Sequence, residues 1–337
     1  MQRSPILVTG GAGYIGSHVV LQLVESGEDV VVLDNLSTGF REAVLGAELV
    51  VGEVGDREAV EALLRSRGIR TVMHFAARTI VPESVEDPLR YYGNNTCATR
   101  NLLEACSRAA VEHFVFSSTA AVYGIPTGGR AREDGPTTPI NPYGTSKLMS
   151  EWMLRDLSAA SALSHVALRY FNVAGCDPLG RIGQSTARAT LLVKVAAEAA
   201  VGARGAVQVF GTDYPTLDGT GVRDYIHVVD LASAHLSALR YLRNGGASVT
   251  LNAGYGHGYS VRQVVAAMSR AAARTVPSVD QARRAGDPPE LVADCARIGA
   301  ILDWTPRLDD LDQICISALA WERQLLARRS AATNAPG

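Results

Sequence analysis

Thr9-Gly10-Gly11-Ala12-Gly13-Tyr14-Ile15-Gly16 joins a short apolar run, Ile6-Leu7-Val8, to Ser17-His18-Val19-Val20-Leu21-Gln22-Leu23-Val24, whose apolar spacing is helical. Strand, glycine turn and helix together form a phosphate-binding context. Bare backbone at Gly10 or Gly11 and at Gly13 turns tightly and comes close to a pyrophosphate. Gly16 is expected to let the helix lie close on its strand. The helix amino terminus then offers free N–H groups and a partial positive charge. Both Gly11-x-Gly13-x-x-Gly16 and Gly10-x-x-Gly13-x-x-Gly16 fit the spacing.

A second strand, Val30-Val31-Val32-Leu33, ends in Asp34, 18 residues after Gly16. That is close to the usual offset of the acid that binds an adenosine ribose. A carboxylate there accepts both ribose hydroxyls and repels a 2′-phosphate. Asn35-Leu36-Ser37-Thr38-Gly39 brings no Arg or Lys, so the expected cofactor is NAD rather than NADP.

Strand and helix patterns then alternate. Strands are expected at Glu48–Val51, Thr71–Phe75, His113–Ser118 and His165–Arg169, with helices over Arg57–Arg67, Asn94–Ala110 and from Pro142. This succession predicts an α/β fold, a Rossmann-type doubly wound parallel sheet with ligands at the carboxyl ends of its strands. From about residue 176 glycines, prolines and short strands interrupt the helices, and a smaller α/β substrate-binding domain is expected. The predicted division is 1–175 for the dinucleotide-binding domain, with later returns of the chain, 176–328 mainly for substrate, and 329–337 as a disordered tail.

The 337 residues are 47% hydrophobic, enough for a sizeable core, and the net charge of −2 argues against nucleic acid as partner. The five cysteines have no metal spacing and read as reduced thiols of a cytoplasmic protein. The seven histidines show no ligand spacing either, so no metal is expected. No signal peptide or membrane-spanning run is visible.

Asn141-Pro142-Tyr143-Gly144-Thr145-Ser146-Lys147 carries the candidate chemistry. Asn141 reads as an N-cap and Pro142 as the first helical residue. Tyr143 and Lys147 then share a helix face. A phenol with an ordinary pKa near ~10 is a poor base at neutral pH, but a neighbouring ammonium favours its phenolate. Such a phenolate can take a proton from a substrate hydroxyl while hydride leaves the same carbon.

With these residues the chain resembles the extended short-chain dehydrogenase/reductase superfamily and, within it, the UDP-glucose 4-epimerase family. The resemblance rests on Gly10-x-x-Gly13-x-x-Gly16, Tyr143-x-x-x-Lys147, Leu168-Arg169-Tyr170-Phe171-Asn172 and the long stretch from Asp213-Tyr214-Pro215-Thr216 through Arg223-Asp224-Tyr225-Ile226-His227. It implies that Gly10, Gly13, Tyr14, Ile15, Gly16, Asp34, Asn35, Leu36, Ser37, Thr38, Gly39, Glu53, Val54, Phe75, Ala76, Ala77, Thr79, Asn94, Lys147 and Phe171 lie along NAD. It implies that Thr119 and Tyr143 meet the sugar 4-hydroxyl with Lys147 assisting. Asn172, Gln208, Val209, Phe210, Arg223, Arg284 and Asp287 are expected at the UDP moiety and Leu291 near the sugar C2 substituent.

Three positions depart from the family pattern: Glu53 where Asp is usual, Thr79 where a basic or other polar residue is common, and Leu191 near a substrate-contacting Asn or His. The expected reaction is interconversion of UDP-glucose and UDP-galactose through a 4-keto sugar, with UDP-glucuronate or UDP-N-acetylglucosamine epimerisation as alternatives. A dehydratase needs acid–base groups beside the strand-end threonine, and Ala120-Ala121 supply none. A silent dinucleotide sensor has no use for Thr119, Tyr143 and Lys147 together. A homodimer is expected through helices bearing Leu102, Leu103, Trp152, Met153 and Leu157.

Overall fold

The computed structural model describes residues 4–187, 189–284 and 287–333. The first part of the chain runs β1 (Ile6–Thr9), α1 (Tyr14–Glu25), β2 (Val30–Asp34), β3 (Glu48–Val51), α2 (Arg57–Arg67), β4 (Thr71–His74), α3 (Val81–Glu86) and α4 (Pro88–Tyr91). A π-helical turn over Tyr92–Cys97 leads into α5 (Ala98–Arg108), β5 (His113–Thr119), β6 (Arg130–Ala131), α6 (Pro142–Ala160), β7 (Ser164–Tyr170) and β8 (Asn172–Ala174). The remainder is α7 (Leu192–Ala200), β9 (Val207–Phe210), β10 (Val222–Arg223), β11 (Tyr225–His227), α8 (Val228–Arg243), β12 (Val249–Ala253), β13 (Tyr259–Ser260), α9 (Val261–Ala272), β14 (Ser278–Gln281), β15 (Glu290–Ala293), α10 (Ala296–Leu302) and α11 (Leu311–Thr333).

Seven strands form one parallel sheet in the order β12-β7-β5-β4-β1-β2-β3. The strand order reverses between β1 and β4, which opens a crevice at their carboxyl ends. The inner strands are continuous apolar runs because helices cover both faces. On one face Val19, Val20 and Leu23 of α1 meet Leu231, Ala238, Leu239 and Leu242 of α8 over Ile6, Val8 and Val32. On the other, Val60, Leu64, Leu102, Leu103 and Leu154 pack on Leu7, Val31, Val72 and Phe116. A separate core joins α7, α9 and α11 through Val193, Ala197, Val264, Met268, Ile314 and Leu319. The other strands form a four-stranded sheet, β13-β10-β15-β6, and two pairs, β11-β8 and β14-β9.

The structure corrects two expectations. Leu102 is fully buried and Leu103 nearly so, both in the core under the sheet, so neither belongs to a dimer face. Met153 and Leu157 also pack against that core, while Trp152 is exposed. Residues 329–333 continue α11 rather than forming a tail; Ser330 Oγ donates to the Leu326 carbonyl inside that helix. Alanine and arginine are strong helix formers, which outweighs the polar composition there. The rest of the predicted tail, 334–337, lies outside the described residues.

Five histidines are buried. Burial holds His18, His165, His227 and His235 down to about 4 and His74 to about 3, from the ordinary 6.5. His74 lies between two threonines, its Nδ1 2.6 Å from Thr9 Oγ1 and its Nε2 2.9 Å from Thr99 Oγ1.

Candidate active site

The glycine turn is built by contact, not only by conformation. Gly10 has φ +72°, and a Cβ there would stand 2.5 Å from the Ala76 nitrogen. A Cβ on Gly16 would meet the Gly10 carbonyl oxygen at 2.3 Å, so this glycine seats α1 on the turn itself rather than on β1. At Gly13 the same atom would touch only the Gly10 oxygen at 3.3 Å, so its outer side is free for a ligand. No side chain caps α1 and its first turn carries no acid. Its first N–H groups thus face the crevice without a protein acceptor, as an anion requires.

Asp34 at the end of β2 accepts the Ala12 N–H at 3.0 Å and the Leu36 N–H at 2.8 Å. A carboxylate has about four acceptor sites, so capacity for a ribose remains. Leu36 sits at φ 58°, unusual for a branched residue. Gly39 allows the loop to close on the turn, because a Cβ there would be 2.8 Å from the Ala12 carbonyl carbon. Ser37 N donates to Asn35 Oδ1 at 3.0 Å, and Thr38 lies on the same loop. Asn35 Nδ2 donates to the Glu53 carboxylate at 3.1 and 3.2 Å, and Val54 follows. The loop after β4 brings Phe75, Ala76 and Ala77 alongside; Phe75 N donates to the Thr9 carbonyl at 2.8 Å. Thr79 is exposed further along that loop. Asn94 stands on the π-helical turn, its amide 3.0 Å from Asn95 Oδ1. Tyr14 donates its hydroxyl to the Gly175 carbonyl at 2.7 Å, which leaves its backbone and that of Ile15 toward the crevice. These donors and glycines fit a dinucleotide.

Asn141 and Pro142 start α6 as expected: the Asn141 Oδ1 accepts the Gly144 N–H at 2.9 Å and Pro142 opens the helix. Lys147 is buried, donates Nζ to the Ser117 carbonyl at 2.8 Å and lies 4.8 Å over the Phe116 ring. Burial pushes its ammonium down to about 7, opposed by the negative charge of Glu151. Tyr143 packs edge-on against Tyr91. Its phenol is raised by burial, and the neighbouring Thr119 hydroxyl pulls it back. This corrects the expected lowering by Lys147: in the protein alone, desolvation of the phenolate outweighs the polar neighbours. Thr119 Oγ1 accepts the Ala121 N–H at 3.1 Å, so its own proton is free for Tyr143. Phe171, beyond β7, packs with Leu291 against Ala120, Val122, Tyr123 and Leu148.

In the later part of the chain Arg223 and Arg284 flank Asp287. Arg223 Nη2 is 3.8 Å from one Asp287 oxygen and Arg284 Nε 3.2 Å from the other. The Arg284 guanidinium lies 4.2 Å over the Phe210 ring. Asn172 donates Nδ2 to the Asp224 carbonyl at 3.3 Å. Gln208 is exposed and Val209 buried on β9, between which alternate faces of one strand point outward and inward. Leu291 on β15 pairs in register with Arg223 on β10. Leu191 does not join this group; it caps α7 and lies beside Tyr14, Gly175 and Trp321.

Several supporting residues escaped the sequence reading. Asn95 ties Arg78 to Ser146 through its amide. Asp224 is wholly buried, and its carboxylate takes the N–H groups of Tyr255, Gly256 and Ala293. Glu151 does have a signal in the sequence: it falls four residues after Lys147 and so shares its helix face.

The family model for the NAD dependent epimerase/dehydratase family matches residues 6–254. The chain belongs to that family. It is 55% identical over 321 residues to a UDP-glucose 4-epimerase of Azospirillum brasilense, covering 95% of this chain and 92% of that one. The crystal structure of UDP-glucose 4-epimerase from Brucella ovis in complex with NAD superposes with a TM-score of 0.92 at 43% identity, over 94% of this chain and 98% of that one. The enzyme from Bifidobacterium longum, solved with NAD+ and UDP, gives 0.90 at 37% identity over 95% and 98%. Among the described residues no helix is long and apolar enough to cross a membrane, and no three side chains form a metal-ligand group.

Proposed function

We infer that this member of the NAD dependent epimerase/dehydratase family is a UDP-glucose 4-epimerase that interconverts UDP-glucose and UDP-galactose. The observation that carries this is the meeting of Thr119, Tyr143 and Lys147 at one strand end, in a chain that also gathers Arg223 and Arg284 about Asp287. NAD is held by the glycine turn, Asp34, the 35–39 loop and the Phe75–Ala77 segment. When bound it supplies hydride acceptance and return at C4 of the sugar.

The protein's own part is proton transfer and grip. Tyr143 takes the proton of the 4-hydroxyl as base, and Thr119 holds that oxygen. The same proton is later returned to the opposite configuration, so the reaction is isomerisation with no net oxidation. Lys147, an ammonium below about pH 7, counters the phenolate charge. Arg223 and Arg284 bind the diphosphate, whose oxygens suit a planar guanidinium fork. Strong contacts at the nucleotide and few polar ones around the sugar let a 4-keto sugar turn over. We assign 1–175, with the returning α8 and β12, to the cofactor and 176–328 mainly to the UDP-sugar.

We propose a cytoplasmic homodimer. The five free thiols support the compartment. Trp152 on α6 and Val85 and Leu89 on the adjoining α3 and α4 offer an exposed apolar face for a second copy. A monomeric mass by light scattering at micromolar concentration rejects the dimer. The function is tested by following UDP-glucose formation from a panel of UDP-sugars; no turnover of UDP-galactose overturns it.

A further inference from the structure

A chain of buried polar groups runs beneath the candidate catalytic edge. Ser118 Oγ donates to Glu151 Oε1 at 2.5 Å. Arg169 grips the same carboxylate with two N–H groups, Nε to Oε1 at 2.9 Å and Nη2 to Oε2 at 2.6 Å. Its third arm, Nη1, donates to the Tyr123 hydroxyl at 3.0 Å, and that hydroxyl donates to Asn252 Oδ1 at 2.6 Å. The Asn252 amide then donates to the carbonyls of Ala131 and Asp294 at 2.9 and 3.2 Å. Glu151 and Arg169 are each 6% exposed, and Ser118 and Asn252 are fully buried.

The elements so joined are α6, β5, β7, β12 and the β6/β15 edge that carries Leu291. Glu151 is one helical turn beyond Lys147 and two beyond Tyr143. Ser118 stands between Ser117, whose carbonyl receives Lys147, and Thr119, which meets Tyr143. Elsewhere α6 meets the sheet through Met153, Leu154 and Leu157, apolar contacts that fix depth but weakly fix rotation and slide, and through a hydrogen bond of 2.7 Å between Ser158 Oγ and His165 Nδ1 near its far end. A bidentate carboxylate–guanidinium pair is directional. Stability alone does not account for it, since buried ion pairs are often replaced by apolar groups without loss.

We propose that Glu151 is a positioning residue that sets the rotation and height of α6, so that Tyr143 and Lys147 meet Thr119 and Ser117. This deepens the epimerase reading and rests on it for its kinetic arm. Glu151 touches no reacting atom. Without it, a displacement of about 1 Å at Tyr143 costs on the order of 10²-fold in rate.

Two variants test this, Glu151→Gln and the double variant Glu151→Leu with Arg169→Met. Glu151→Gln leaves a buried guanidinium short of its charge and is expected to lower thermal stability. The double variant removes both charges and is expected to recover it. In both, kcat for UDP-galactose should fall by roughly 10–100-fold while KM changes little, because the nucleotide grip lies elsewhere. In a crystal structure of the double variant the Lys147–Ser117 contact should be broken or lengthened. If Glu151→Gln does not fold, the double variant decides. Turnover that returns together with stability, or a crystal structure that keeps both the Lys147–Ser117 and Tyr143–Thr119 contacts, overturns the assignment. An unmodified chain inactive on every UDP-sugar instead sinks the epimerase reading, and the crystallographic result still decides the role of Glu151.

Discussion

Lys147 is 2% exposed, whereas the Arg284 side chain is 48% exposed. Around Lys147 the polar groups are paired inside the protein: Lys147 with the Ser117 carbonyl, and Ser118, Glu151, Arg169 and Tyr123 with one another in a continuous chain. The ion pairs at Asp287 are looser, Arg223–Asp287 at 3.8 Å and Arg284–Asp287 at 3.2 Å. The proposed chemistry is thus pre-organised, where a small displacement is costly, while Arg284 of the proposed nucleotide grip is half-solvated and able to exchange its partner for a diphosphate. Ion pairs of the second kind contribute little to stability, so spending them on a ligand costs the fold little.

The largest expected effect breaks the pre-organised side. Tyr143→Phe should leave folding and NAD binding intact and lower turnover by roughly 10²–10⁴-fold, the usual worth of general acid–base help. Near-normal turnover in that variant removes Tyr143 from the mechanism. The open side should respond differently. Arg223→Ala loses a charged hydrogen bond worth about 1.5–3 kcal/mol, which is roughly 10–150-fold in UDP affinity, with thermal stability unchanged. Calorimetric titration with UDP reads it; a stability loss without an affinity loss reverses the comparison.

Acid should act through the buried histidines rather than the open arginines. The unfolded chain takes up protons below pH 6.5, and the folded chain does not until about 4 at His18, His165, His227 and His235 or about 3 at His74. A lowered folded pKa means stability that is full above 6.5 and is lost as pH falls from there toward 4 and 3. Each group contributes at most about 1.4 kcal/mol per pH unit in that window. Urea midpoints measured from pH 7.5 down to 5 should therefore fall steadily, and a flat profile contradicts the burial of these rings.

The smallest effect concerns sugar size. Leu291, like Phe171, packs on the apolar cluster of Ala120, Val122, Tyr123 and Leu148 and offers no hydrogen bond to an acetamido group, and an unpaired buried amide costs roughly 1–3 kcal/mol. UDP-glucose and UDP-galactose should be preferred, with weak activity on UDP-N-acetylglucosamine. Leu291→Tyr should abolish that activity and Leu291→Ser should raise it. Equal efficiency on plain and acetylated sugars in the unmodified chain removes Leu291 as the gate.

The two regions also differ in how far they can be read from residues alone. Parallel strands covered on both faces are continuous apolar runs, so Val30–Leu33 and Phe114–Phe116 stand out, and the glycines and the Tyr143–Lys147 spacing mark their turns. The proposed nucleotide side includes two-residue strands such as β10 and β13, too short to carry a period. Asp224 looks like any charged loop residue until the fold encloses it. Leu102 and Leu103 could face a partner or a core with equal hydrophobicity, and only the path of the helix across the sheet settles which. The burial that raises the Tyr143 phenol is likewise a property of tertiary packing, invisible in a four-residue spacing.

The pairing of β12 with β7, and of α8 with α1, ties the end of the sheet to its beginning. On the ribosome this imposes an order. The first strands emerge with the apolar side of α1 uncovered, and its cover, Leu231 to Leu242, is made more than 200 residues later than Val19 and Leu23. The nascent chain therefore carries exposed Val and Leu until residue 253 has left the tunnel, and its sheet can close only after the first half of the proposed UDP-sugar segment, through Arg223, has been synthesised. Folding of the older half waits on the younger, which makes the unfinished chain, rather than the finished one, the state exposed to aggregation.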